Sequence, residues 1–224
     1  ATAAGQAAPA GQAIPTDPAV RIGTLPNGFR YYIRANGEPR NRAELRLVVN
    51  AGSVLEDEDQ RGLAHLLEHM AFNGTRNFEK LELVRYLESV GMRFGPDINA
   101  YTSFDETVYM LTLPTDSAGV LETGFQILED WAHGITLDSV EVEKERGVVI
   151  EEWRLGQGAD ERVRAQQMPV LFAGSRYAVR LPIGTRESLE RFEHAQLRAF
   201  CDAWYRPGLM SVVVVGDVDP AAIE

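Results

Sequence analysis

The chain has 224 residues, of which 45% are hydrophobic and 25% charged, the balance of a soluble globular protein with length enough to pack a core in one large domain or two small ones. Its formal net charge of -11 has the wrong sign for a protein whose main partner is nucleic acid, and no apolar run approaches the ~20 residues that a membrane-spanning helix needs. One cysteine, Cys201, excludes an intrachain disulfide and lies in an apolar-periodic run with Leu197 and Phe200, which predicts a buried, inert thiol.

Residues 1–20 stand apart from the rest. Positions 1–16 carry no charge and are mostly Ala, Gly, Gln and Pro, a linker composition expected to be disordered. With neither an initiating Met nor a basic-plus-apolar leader, this tail is expected to follow a removed export signal, which predicts a periplasmic or cell-envelope location. Residues 21–224 are read as the folded domain. Residues 21–25, the Pro26-Asn27-Gly28 turn and residues 29–34 read as a hairpin of two strands. Residues 43–51 form a buried strand through Leu45, Leu47 and Val49, and residues 56–60 an acidic loop.

Residues 61–72 form the next element, a helix. At about 100° per residue, His65 and His69 fall roughly 40° apart on one face, with Glu68 about 60° to the other side of His65. Leu63, Leu66, Leu67 and Met70 cover the remaining directions, so the helix is predicted to be buried nearly all round. Polar groups there need partners. Two imidazoles one turn apart can grip zinc or another transition metal, and a carboxylate beside them can take a proton from a metal-bound water. A mutually satisfied polar cluster is the remaining alternative. Asn73-Gly74 offers a left-handed stop.

Residues 79–90 follow as an amphipathic helix, and residues 98–103 and 106–113 as two strands joined at Phe104-Asp105. A helix ends at Gly134 with His133 in its last turn, where a cation suits the helix dipole. A long charged helix runs from about 138 to 155 and is broken by Gly156-Gln157-Gly158. Residues 160–173 are helical, residues 174–188 are a loop, and residues 194–205 are a helix with a structural His194 near its start. Residues 210–215 form the last strand, and Pro220 opens a final helix. This order predicts an α+β domain with helices packed on a mainly antiparallel sheet.

Zinc with one open position needs a third protein ligand. The helix over residues 138–155 offers Glu145 and Glu152, two turns apart and within about 20° of each other. Val148 and Val149 between them mark that side as core-facing, whereas Glu143 and Glu151 point off the line toward solvent. On spacing alone either glutamate could serve.

The blocks His65-Leu-Leu-Glu68-His69, Phe72-Asn-Gly-Thr75, Asn99-Ala-Tyr-Thr102 and Glu145-Arg-Gly-Val-Val-Ile-Glu-Glu152 together resemble the pitrilysin/insulinase family of inverted-motif zinc peptidases, over almost all of residues 21–220. The Glu151-Glu152-Trp153-Arg154 ending resembles the family's bacterial PqqL-like branch. The resemblance implies one Zn2+ held by His65, His69 and Glu152, with Glu68 as general base and Glu145 as a supporting carboxylate. It implies a peptide or small-protein substrate added as a strand along Asn99, Ala100, Tyr101 and Thr102, with Phe72 and Tyr101 forming an apolar pocket. It further implies a longer zinc endopeptidase, in which a C-terminal half or a partner subunit encloses the substrate. A peptide-binding scaffold without turnover and a precursor-specific processing peptidase are the alternatives.

Overall fold

Alternating burial along the strands sets the architecture. In the computed structural model, which describes residues 15–224, the strands are β1 (Val20–Thr24), β2 (Arg30–Ala35), β3 (Arg42–Val49), β4 (Ile98–Thr102), β5 (Thr107–Pro114) and β6 (Met210–Gly216). They form one sheet in the order β1-β2-β6-β3-β5-β4. Every pairing is antiparallel except that of β2 with β6. In β3 the side chains of Leu45, Leu47 and Val49 are fully buried while Glu44 and Arg46 turn to the other face and bond each other. Period-two patterning thus gives the sheet one core face. The tail expected to be disordered lies mostly outside the described residues.

Helices accompany the sheet, and the first and third of them pack most extensively on its core face. The helices are α1 (Leu63–Met70), α2 (Glu82–Ser89), α3 (Val120–His133), α4 (Ser139–Leu155), α5 (Ala159–Leu171), α6 (Arg186–Arg191), α7 (His194–Trp204) and α8 (Pro220–Ile223). This is the expected α+β arrangement. None of the helices is long and apolar enough to cross a membrane. α3 packs so closely on the sheet that a Cβ on Gly124 would stand 2.2 Å from Leu113 Cδ1. Trp131 of α3 stacks on Tyr109 of β5 and donates its indole N–H to the Ala71 carbonyl at 3.0 Å, which fixes the C-terminal end of α1 against the sheet.

Local detail departs from the periodicity in three places. The segment expected as loop over residues 174–188 contains a 3-10 turn at Arg176–Ala178, and α6 begins at Arg186. Thr185 caps α6 by accepting the Ser188 N–H, and Leu189 buries against the core. A capping Thr followed by one buried Leu is too short a pattern for periodicity to register. α2 starts three residues later than expected, because Leu81 is left-handed at φ 64° and a non-glycine residue in that conformation interrupts a right-handed helix. On α4, Val148 is 51% exposed whereas Val149 is fully buried. Successive helical residues diverge by about 100°, so the core-facing line runs through Val142, Glu145 and Val149, and Val148 lies outside it.

Trp131→Phe keeps an aromatic ring, though a smaller one, and leaves the buried Ala71 carbonyl unpaired. The expected result is a loss of about 1–3 kcal/mol in urea unfolding with an unchanged m-value; equal stability would show that this bond does not hold α1 in place.

Candidate metal centre

α1 is buried on nearly every side, with Leu63, Leu66, Leu67 and Met70 at zero exposure and its polar residues gathered on one face. The Nε2 atoms of His65 and His69 stand 3.2 Å apart. Glu152 of α4 brings Oε2 to 3.7 Å from His65 Nε2 and 3.6 Å from His69 Nε2. All three donor atoms lie within 4.8 Å of one another. Ligands at about 2.0–2.1 Å from a tetrahedral zinc stand about 3.3–3.4 Å apart. The observed separations fit that donor set, and they are too long for the Glu152–His pairs to be hydrogen bonds.

Each donor has a distinct environment. His69 Nδ1 lies 2.8 Å from Glu145 Oε1. A carboxylate only accepts, so Nδ1 carries the proton and Nε2 keeps its lone pair for the site. Asn73 donates to the other Glu145 oxygen at 2.9 Å and to the His69 carbonyl at 3.1 Å. Burial pushes His65 down to about 4, helped by His69 and opposed by Glu145, so His65 is neutral near neutral pH. Burial also pulls His69 down, but the bond to Glu145 and the charges of Glu145, Glu68 and Glu152 outweigh it and raise His69 overall. The bond to His69 holds Glu145 below the usual carboxylate range. The carboxylates therefore make this point attractive to positive charge.

Glu68 projects from α1 beside the two histidines and is mostly buried, and desolvation lifts its carboxyl above the usual range. The Thr102 hydroxyl of β4 donates to Glu68 Oε2 at 2.7 Å. Thr102 closes the Asn99-Ala-Tyr-Thr102 block, where alternation puts it on the opposite face from Tyr101; the block alone does not assign it the contact to Glu68.

Glu145 and Glu152, expected to share a buried face, differ in depth: their side chains are 14% and 50% exposed. Glu152 lies at the end of the line where α4 leaves the core. Glu143 and Glu151 are exposed and bond Arg146 and Arg154, as their directions predicted. His133 bonds the Glu129 carbonyl in the last turn of α3, and His194 bonds the Leu137 carbonyl. Cys201, expected to be buried, is partly exposed on α7; its partial burial still pushes the thiol up to about 11, which leaves it protonated.

A cavity of about 610 Å³ opens over the cluster, lined by His65, Glu68, His69, Ala100, Tyr101 and Trp153, among others. β5 is the one strand that pairs with β4 among the described residues; on the other edge Ile98 bridges to Phe94, and beyond that bridge the edge runs beside the cavity with no strand partner among the described residues. Asn99 is exposed on that strand, and Tyr101 is 41% exposed and bonds Glu106 at 2.8 Å. Phe72 does not line this cavity; it packs on Phe94 and Trp131.

Comparison with known proteins bears on this arrangement. The profile described as "Insulinase (Peptidase family M16)" matches residues 32–169. The "Probable zinc protease PqqL" of Haemophilus influenzae is 43% identical over 206 residues, covering 92% of this chain and 22% of that protein. The chloroplastic stromal processing peptidase of Oryza sativa subsp. japonica is 33% identical over 217 residues, covering 94% of this chain and 17% of that protein. The chain thus spans about a fifth of the length of these curated relatives. The crystal structure of the first half of the periplasmic protease PqqL from Escherichia coli superposes with a TM-score of 0.90 at 40% identity, covering 95% of this chain and 45% of that one. Profile, relatives and fold agree, and the chain belongs to the insulinase family of peptidases, peptidase family M16.

Proposed function

We propose that this domain carries the active centre of a zinc-dependent endopeptidase, in which His65, His69 and Glu152 hold one Zn2+ and Glu68 is the general base. The observation that carries the reading is a complete donor set whose separations suit tetrahedral zinc, with a buried carboxylate beside it at the free edge of β4. When bound, zinc supplies Lewis-acid polarisation of a peptide carbonyl and acidifies water.

The chain's own residues divide the remaining work. Glu68, desolvated and aimed by Thr102, takes a proton from the attacking water and returns it to the leaving amine. Its raised affinity for protons suits both steps. Glu145 holds His69 in the tautomer that leaves Nε2 free, and Asn73 holds Glu145. A peptide pairs with the outer edge of β4 along Asn99, Ala100 and Tyr101, so that main-chain bonds give affinity without strict sequence demand. Tyr101 on that edge offers apolar surface to a side chain of the substrate, whereas Phe72, packed on Phe94 and Trp131, lies outside the cavity.

The match to about a fifth of longer relatives supports assigning these residues to the metal-bearing N-terminal domain of a multidomain enzyme. In it, a C-terminal half or a partner subunit closes over the substrate. The Escherichia coli protein is named a periplasmic protease, which supports an exported, periplasmic or envelope location here. The likeness to stromal processing peptidases favours, as a second reading, cleavage of particular precursors over general peptide degradation. Cleavage-site mapping on mixed peptides separates these two.

Glu68→Gln should bind zinc as the parent does and lose about 10²- to 10⁴-fold in kcat on a quenched peptide; undiminished turnover with the metal in place would remove Glu68 from the role of base. Glu145→Gln should weaken zinc binding about 10- to 100-fold in chelator competition. Unchanged affinity there would mean that Glu145 does not support the His69 ligand.

A further inference from the structure

The way α1 begins bears on how His65 is held. Gly62 at the N-cap is left-handed, with φ 98°, and offers no side chain to accept the first N–H groups. A Cβ at this position would stand 2.9 Å from Leu189 Cδ2 and 3.2 Å from Gly184 Cα. The Ser, Thr, Asp or Asn that ordinarily caps a helix is therefore excluded by both conformation and space. The cap comes from Glu56 instead. Its carboxylate accepts the Gly62 N–H at 3.1 and 3.0 Å through its two oxygens, and the Ala64 N–H at 2.9 Å.

Glu56 has zero exposure, and burial pushes its carboxyl up to about 7 against the Ala64 and Gly62 bonds and the charges of Arg180 and Arg61. Its backbone carbonyl accepts from Arg180 Nε at 3.0 Å and also from Arg176. Arg180 is itself 4% exposed and reaches Glu58 at 2.8 Å.

The two histidines are oriented in different ways. His69 has Glu145 on its Nδ1. His65 Nδ1 is buried with no hydrogen-bond partner among the described residues, so no side chain fixes that ring from behind. His65 is the third residue of α1 and depends on the backbone of the first turn, whose N–H groups Glu56 holds. We infer that Glu56 is a positioning residue for His65, acting through the first turn of α1 where His69 has a side-chain partner of its own. The inference rests on the zinc-site reading given above.

The test uses the full-length protein at a pH above the Glu56 range, with Co2+ as a spectroscopic stand-in for zinc. Glu56→Gln keeps the shape but replaces one acceptor oxygen by an NH2 group. The expected result is lowered hydrogen-exchange protection at residues 62–66, an altered visible Co2+ spectrum, and kcat down about 10- to 100-fold with KM little changed. Glu56→Asp should recover part of each loss. A folded Glu56→Gln chain with parental exchange, spectrum and kcat would overturn the inference. Should Glu56→Gln fail to fold, the same comparison falls to Glu56→Asp, where parental values in all three readouts would overturn it equally. A parent protein that binds no Co2+ overturns the zinc-site reading itself and this inference with it, a failure recognisable because it appears before any substitution is made.

Discussion

A helix buried on nearly every side can carry polar side chains only if each finds a partner, since an unpaired polar group in a core costs about 1–3 kcal/mol and an unpaired charge more. α1 lives under that constraint, and much of the structure around it answers to it. Its first N–H groups go to Glu56, Glu68 goes to Thr102, His69 to Glu145, and the Ala71 carbonyl to the Trp131 indole. The partners come from the preceding loop, the edge strand, α4 and α3. Each of these elements is tied to α1 by a polar bond as well as by apolar contact, so the packing that stabilises the domain also aims its chemistry.

Glu145 and Glu152 show how one helix serves two different needs. Both lie on the same side of α4, yet Glu145 sits where the helix is pressed into the fold and Glu152 where it emerges. The deeper carboxylate accepts from His69 Nδ1 and Asn73 at hydrogen-bonding distance. The shallower one has no hydrogen bond to either histidine and a half-exposed side chain, which suits a group that shares its oxygens with a cation and faces incoming solvent or substrate. In the proposed centre, depth along the helix, rather than residue type, separates support from ligation.

The strands and long helices were legible in the sequence because their apolar residues recur at periods of two and 3.6 over enough positions to be distinctive. The cluster was legible for a related reason: His65, Glu68 and His69 share a face by spacing alone, and the Glu145/Glu152 pair repeats at two turns. Glu56 and the contact of Thr102 with Glu68 were not. Glu56 sits in an acidic run that reads as solvated loop, and only the fold reveals that its side chain turns inward to the end of a helix. Thr102 takes its role from β4 crossing beside α1, a contact between segments more than thirty residues apart in sequence. Val148 misled because one turn of helix offers apolar residues on two sides, and only the core decides which side is inner.

The openness of the site has a consequence for the proposed chemistry. Electrostatic stabilisation gains most where water is excluded, yet Glu152 is half-exposed and the cavity over the cluster is bordered on one side by the unpaired edge of β4. The residues best shielded are those that tune the site, Glu145 and the Glu68–Thr102 pair. Those exposed are the ones a peptide would meet. A peptide lying along β4 would satisfy the edge's free backbone groups and displace water from the cavity in one event. In the proposed enzyme, substrate binding therefore completes the dry environment that the fold leaves unfinished. Full desolvation then falls to whatever closes over the opposite side, which is the physical reason for assigning this centre to one half of an enclosing enzyme.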